Sequence, residues 1–149
     1  VRNFAPPNPD LIARKIRDSV AHFYASPDHV ARVGPLDSNE DLHRATLLGF
    51  EQPAEMVEML RKFLGLELRE DQFPIVTPNH LVQWELCKRG LGICMMMEDV
   101  GAKEPGVVRV LPKLPSIPVP IWLVCHRELR TSRRLRLVFD ALAEGLASR

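Results

Sequence analysis

A chain of 149 residues, 46% hydrophobic and 26% charged, has one-domain length and ordinary globular composition, which excludes a disordered segment. Lys and Arg number 20 against 19 Asp and Glu, so the formal net charge is +1 and there is no positive surplus to track a phosphate backbone. No apolar run approaches the ~20 residues of a membrane span, and the start Val1-Arg2-Asn3-Phe4-Ala5-Pro6-Pro7 has no apolar secretory core. Cys87, Cys94 and Cys125 are odd in number, lie among apolar neighbours and form no CxxC pair. They read as small core residues in a reducing cytoplasm.

In chain order, residues 1–4 predict a short opening strand isolated by Pro6-Pro7-Asn8-Pro9, and residues 10–16 a short apolar connector. Residues 19–25 predict a strand with Val20, His22 and Tyr24 on one face and Ala21, Phe23 and Ala25 on the other. Ser26-Pro27 opens a helix over 28–33, with Ser26 as N-cap and Gly34-Pro35 as its stop. Ser38 begins a capped turn, and the apolar run 46–50 predicts a strand buried on both faces.

From Pro53 the period becomes helical. Met56, Met59, Leu60, Phe63 and Leu64 form one stripe that Gly65 ends. Strand 73–76 leads through Thr77-Pro78-Asn79 into a helix over 80–89, closed by Gly90. Strand 91–97, a helical turn at 98–102, and strands 107–111 and 121–126 follow, the last two separated by the proline-rich 112–120. A final helix opens at Ser132 with Leu135, Val138, Phe139, Leu142 and Leu146 on one face. Strands alternating with helices predict an α/β fold with a largely parallel sheet.

No catalytic set emerges. His22, His29, His43, His80 and His126 show no metal-ligand spacing, so no metal or other cofactor is expected. Gly90-Leu91-Gly92 follows a helix and precedes a strand, the reverse of a dinucleotide loop. Glu40-Asp41 and Glu98-Asp99 fall at helix starts, where the macrodipole favours carboxylates. The basic cluster Arg127, Arg130, Arg133, Arg134 and Arg136 reads as a solvated helix face, and Met95-Met96-Met97 as the end of a core strand. Two strand-to-helix junctions remain, Ser26 and Thr77-Pro78-Asn79. Each presents a hydroxyl and backbone N–H groups suited to a small anion such as a carboxylate. Capping alone explains either one; on facing lobes they would make a cleft.

Tyr24-Ala25-Ser26-Pro27-Asp28-His29-Val30, with Gly34-Pro35 and Asp41-Leu42, resembles the ASPxYL stretch of LysR-type transcriptional regulators. Lys88-Arg89-Gly90-Leu91-Gly92-Ile93 is similar to their GLGI stretch, and Ser132-Arg133-Arg134-Leu135-Arg136 with Phe139 to their closing segment. The resemblance runs from Val1 to about Leu146, and the order and spacing of the motifs are what make it specific. Met96 and Met97 depart from it, standing where the family often has Leu-Pro.

The resemblance implies a type 2 periplasmic-binding-protein-like fold, two lobes joined by two crossing strands, with the first lobe incomplete. Residues 1–25 and 121–149 would be the remnant of regulatory lobe one, and 26–120 lobe two. It implies an effector-sensing, dimerising or tetramerising region of a cytoplasmic DNA-binding regulator that does no chemistry. DNA would be held only by a winged helix-turn-helix absent from this chain. The effector, a small and anionic metabolite, would contact Ser26, Thr77, Pro78 and Asn79 between the lobes. A homodimer would use the helix from Pro53 and the strand from Phe73, through Met56, Met59, Phe63 and Phe73. The alternative is a solute-binding protein of a transporter with the same fold. An enzyme ranks third.

Overall fold

The structure, a computed structural model, describes residues 1–128 and 132–147, so Arg130 of the basic cluster lies outside the described residues. The fold is mixed α/β. Two compact units are present, Val1–Val20 with Pro118–Arg149, and Ala21–Ile117.

Strand β1, Leu11–Ala25, starts in the first unit and ends in the second. It is longer than the sequence predicts, because residues expected as a connector continue the strand. The expected opening strand is reduced to one antiparallel bridge in which Arg2 and Trp122 exchange backbone hydrogen bonds of 2.8 Å. Strand β6, Ile117–His126, pairs with β1 and begins inside the proline-rich segment. Pro118 and Pro120, two residues apart, put their donor-less nitrogens on one side of that strand and leave the other side free to pair. The last helix, α5 (Arg133–Ala147), buries Ala143, and Arg17 Nε donates to its Leu146 carbonyl at 3.1 Å. Its expected apolar face is largely uncovered in this chain: Leu135, Val138 and Leu142 are exposed, beside a cavity of about 480 Å³ that Ile12, Leu123, Val124 and Phe139 also line.

In the second unit the end of β1 is buried on both faces. Phe23 and Ala25 enter one core with Met56, Leu60, Phe73, Ile93 and Val110; Tyr24 enters another with Leu48, Trp84, Cys87, Cys94 and Val107. This is the side-to-side alternation expected for residues 21–25. Strands β4 (Cys94–Met97) and β5 (Val108–Val110) flank β1 and both run antiparallel to it. The largely parallel sheet expected from alternating elements is therefore not what forms around β1. Parallel pairing joins β2 (Leu48–Gly49) to β3 (Ile75–Val76), the two strands connected across α2 (Pro53–Leu64), and forms a Leu47–Ile93 bridge. A crossover helix imposes parallel direction only on the strands it connects.

The local signals for helices hold. In α1 (Pro27–Val33) Ser26 caps the first turn, and in α3 (His80–Lys88) Asn79 Oδ1 accepts from Leu81 N at 3.0 Å and Val82 N at 3.3 Å. Gly65 takes φ +65° to end α2, a conformation that favours glycine. Met95 and Met96 of β4 pack half-buried against the two cores, while Met97, also half-buried, belongs to neither. The short helix α4 (Glu98–Gly101) follows directly.

Candidate functional site

Thr77 lies just past the carboxyl end of β3, and its N–H donates to the Gly49 carbonyl at the end of β2 at 3.0 Å. This extends the parallel ladder by one bond and delivers the chain to the start of α3. Ligands of α/β sheets are held at such carboxyl ends. Thr77 Oγ1 accepts from Asn79 N at 3.2 Å, and Pro78 has no N–H to satisfy. With Leu81 and Val82 held by the Asn79 oxygen, the outward donors are the Thr77 hydroxyl and the Asn79 side-chain amide. Pro78, Asn79 and His80 are exposed, and Thr77 is half-buried. No acidic residue occupies the first turn of α3, so the helix itself places no carboxylate at the positive end of its dipole.

Sequence reasoning missed two neighbours. The His80 ring packs on Phe50 with centroids 5.1 Å apart. Gln83 is fully buried, its Nε2 donating to the Leu48 carbonyl at 2.7 Å while its Oε1 has no protein partner. Thus one amide ties the first turns of α3 to β2. Its only signal in the sequence was a polar residue at a position where the helix turns inward.

Ser26 is placed differently. It is 3% exposed, and its Oγ accepts from His29 N at 3.1 Å as a helix cap. A Cβ at position 90 would stand 3.0 Å from that oxygen, so Ser26 packs on Gly90. His29 Nδ1 lies 3.1 Å from the Gly90 carbonyl, to which the Arg32 guanidinium also donates. Gly90 follows the C-terminus of α3, whereas Thr77-Pro78-Asn79 precede its N-terminus. Helical rise over that span puts the two junctions roughly 15 Å apart. Both belong to the second unit, within the bounds expected for lobe two, so they do not stand on two separate lobes as a cleft between them would need. The Ser26 hydroxyl is a buried cap at the far end of the helix.

The four residues expected at a dimer interface also separate. Met56 and Phe73 are core, 2% and 4% exposed, because the inward edge of α2, Met56 and Leu60, joins Phe73 and Ile93 in one buried cluster. Met59 is half-buried, and Phe63 is 56% exposed. These two line a shallow cavity of about 490 Å³ with Ala54, Glu55, Glu58 and Lys62. The stripe read as one face is therefore two, a core edge and a surface edge.

Elsewhere in the second unit, burial lowers the pKa of His22, and the Arg109 guanidinium lowers it further; Glu98, with Oε1 3.6 Å from Nε2, opposes both. Among the described residues no group of histidines, cysteines and acids is arranged to hold a metal ion, and no helix is long and apolar enough to cross a membrane.

The sequence profile of the LysR substrate binding domain matches residues 1–147. Among solved structures, the regulatory domain of CrgA, a LysR-type transcriptional regulator from Neisseria meningitidis, superposes with a TM-score of 0.79 at 22% identity. That match covers 97% of this chain and 73% of the other. A longer CrgA chain gives the same score and identity, covering 97% of this chain and 51% of that one. The full-length Vibrio cholerae virulence activator AphB gives 0.67 at 25% identity, covering 95% and 49%. The chain thus spans about half the length of these two regulators and about three-quarters of the CrgA regulatory domain. No curated protein matches it closely.

Proposed function

Because the chain belongs to the LysR substrate binding domain family, we propose that it is the effector-sensing part of a cytoplasmic transcriptional regulator. It does no chemistry of its own, and it reports on a small anionic metabolite, a carboxylate. DNA is contacted by a separate part of the regulator; the near-neutral charge of this chain suits that division. Residues 26–120 act as one regulatory lobe, and β1 and β6 provide the strands that cross out of it. A transporter's solute-binding protein shares the fold but not the family match.

The observation that carries the ligand class is the Thr77-Pro78-Asn79 turn. Its hydroxyl and side-chain amide donors stand at the N-terminus of α3, whose first turn carries no acidic residue, beyond the carboxyl ends of β2 and β3. An anion placed there gains charge-assisted hydrogen bonds and the helix dipole together. The Ser26 hydroxyl, already used as a cap and buried, is left out of this reading.

The experiment is titration calorimetry of the regulator with acetate, benzoate and succinate, with chloride as the control anion. Thr77→Val should weaken carboxylate binding by about 1–3 kcal/mol, the cost of leaving a partner unbonded. Ser26→Ala should leave it unchanged. Equal binding by wild type and Thr77→Val would remove the turn from the site.

The same reading assigns self-association to the surface edge of α2, where Met59 and Phe63 are left for a second copy.

A further inference from the structure

An aromatic pair stands beside the Thr77-Pro78-Asn79 turn. The Thr77 N–H is bonded to the carbonyl of Gly49, the residue before Phe50, and His80 follows Asn79 directly. The Phe50 and His80 rings meet with centroids 5.1 Å apart and planes at 43°. Phe50 is half-buried and packs on the buried cluster that holds Met56, Leu60 and Phe73, so its ring is fixed from behind. His80 is exposed, and its ring extends that fixed surface.

The same stretch is apolar where a protein surface is ordinarily polar. Val76 is 38% exposed, Leu81 78% and Val82 45%, and all three lie close to Thr77 in the chain. Exposed apolar side chains gathered in this way mark a contact surface. Segments 47–52 and 75–83 carry no Lys or Arg, and their one carboxylate is Glu51. The outward donors of the turn, the Thr77 hydroxyl and the Asn79 amide, are neutral. Neutral donors at a helix N-terminus suffice for one carboxylate. A second carboxylate or a phosphate dianion would find no cation in these segments. It would give up water against apolar side chains with no partner to offset the cost.

We infer that the effector is an aromatic monocarboxylate, its carboxylate on Thr77 and Asn79 and its ring on the Phe50–His80 pair. This rests on the turn being the anion site, as proposed above, and adds to it the body of the ligand. A ring laid on such a pair gains the offset or edge-on contact that aromatic groups prefer, and it removes apolar surface from water. Dicarboxylates and phosphate esters are disfavoured by the same surface.

The test is titration calorimetry of the regulator with benzoate, acetate, succinate and inorganic phosphate. Wild type should bind benzoate roughly tenfold tighter than acetate, and succinate and phosphate no better than acetate. His80→Ala should bring benzoate down toward acetate and leave acetate unchanged. His80→Phe should keep the preference, since a ring still lies on Phe50; loss of the preference in that variant would overturn the stacking. Thr77→Val should weaken benzoate and acetate alike. Equal affinities for benzoate and acetate, or tighter binding of succinate or phosphate, would overturn the aromatic inference. The anion site would still stand if Thr77→Val weakened every one of them. Binding that ignores Thr77→Val, or no binding of any of the four, would overturn the site and the inference together.

Discussion

Gly101 lies flat against the ring of Tyr24: a Cβ at position 101 would fall 2.2 Å from the ring's Cζ. Tyr24 cannot retreat, since its ring also meets Trp84 edge-on, with centroids 5.9 Å apart and planes at 88°. The glycine ends α4, so the close approach seats that helix on β1. Gly101→Ala should therefore destabilise the second unit by about 1–3 kcal/mol through overpacking. Urea denaturation followed by tryptophan fluorescence reads this directly; an unchanged midpoint would mean α4 shifts freely.

His22 should make the protein acid-sensitive. Burial first, then Arg109, lowers its folded pKa below 6.5. The folded state thus prefers the neutral ring. The stability this contributes is present above about pH 6.5 and is lost as the pH falls through the lower folded pKa. His22→Gln should flatten the fall in urea midpoint between about pH 7 and about pH 5. A variant with the same slope as wild type would assign the acid sensitivity to other groups.

The two edges of α2 should respond oppositely. Met56 is core, so Met56→Ala should cost about 2–5 kcal/mol of stability in the cavity it leaves. Phe63, more than half exposed, should tolerate Phe63→Asp with little change in Tm. If the surface edge carries self-association, that same change lowers the association state in sedimentation velocity. An unaltered sedimentation profile would place the interface elsewhere.

The 149-residue chain by itself should associate. Leu135, Leu137, Val138 and Leu142 of α5 are 40–63% exposed, and three of them edge an apolar cavity of about 480 Å³. An uncovered apolar face of this kind drives contact between copies. Sedimentation should show concentration-dependent association that Val138→Glu with Leu142→Glu reduces. A monomer at all concentrations tested would contradict the exposure of that face in solution.

What the sequence by itself determined is what short-range chemistry decides. Ser26 and Asn79 cap their helices and Gly65 and Gly90 end theirs, because a helix terminus is satisfied within three or four residues of itself. The alternation through Phe23, Tyr24 and Ala25 assigns each to the correct face of β1, since a strand's period is intrinsic to its backbone. The ordered motifs around Ser26, Gly90 and Ser132 were sufficient to indicate the family that the whole-chain match then established. Only the tertiary structure decided strand direction, for nothing local to Cys94–Met97 or Val108–Val110 says that each will pair against β1. It also divided the α2 stripe between Met56 and Phe63, because a helix's apolar width says how much can be buried but not where the neighbouring sheet ends. The length of α3 separated Ser26, packed on Gly90 past its C-terminus, from Thr77 before its N-terminus. Such distances arise when remote segments close on one another, and no window of sequence contains both ends.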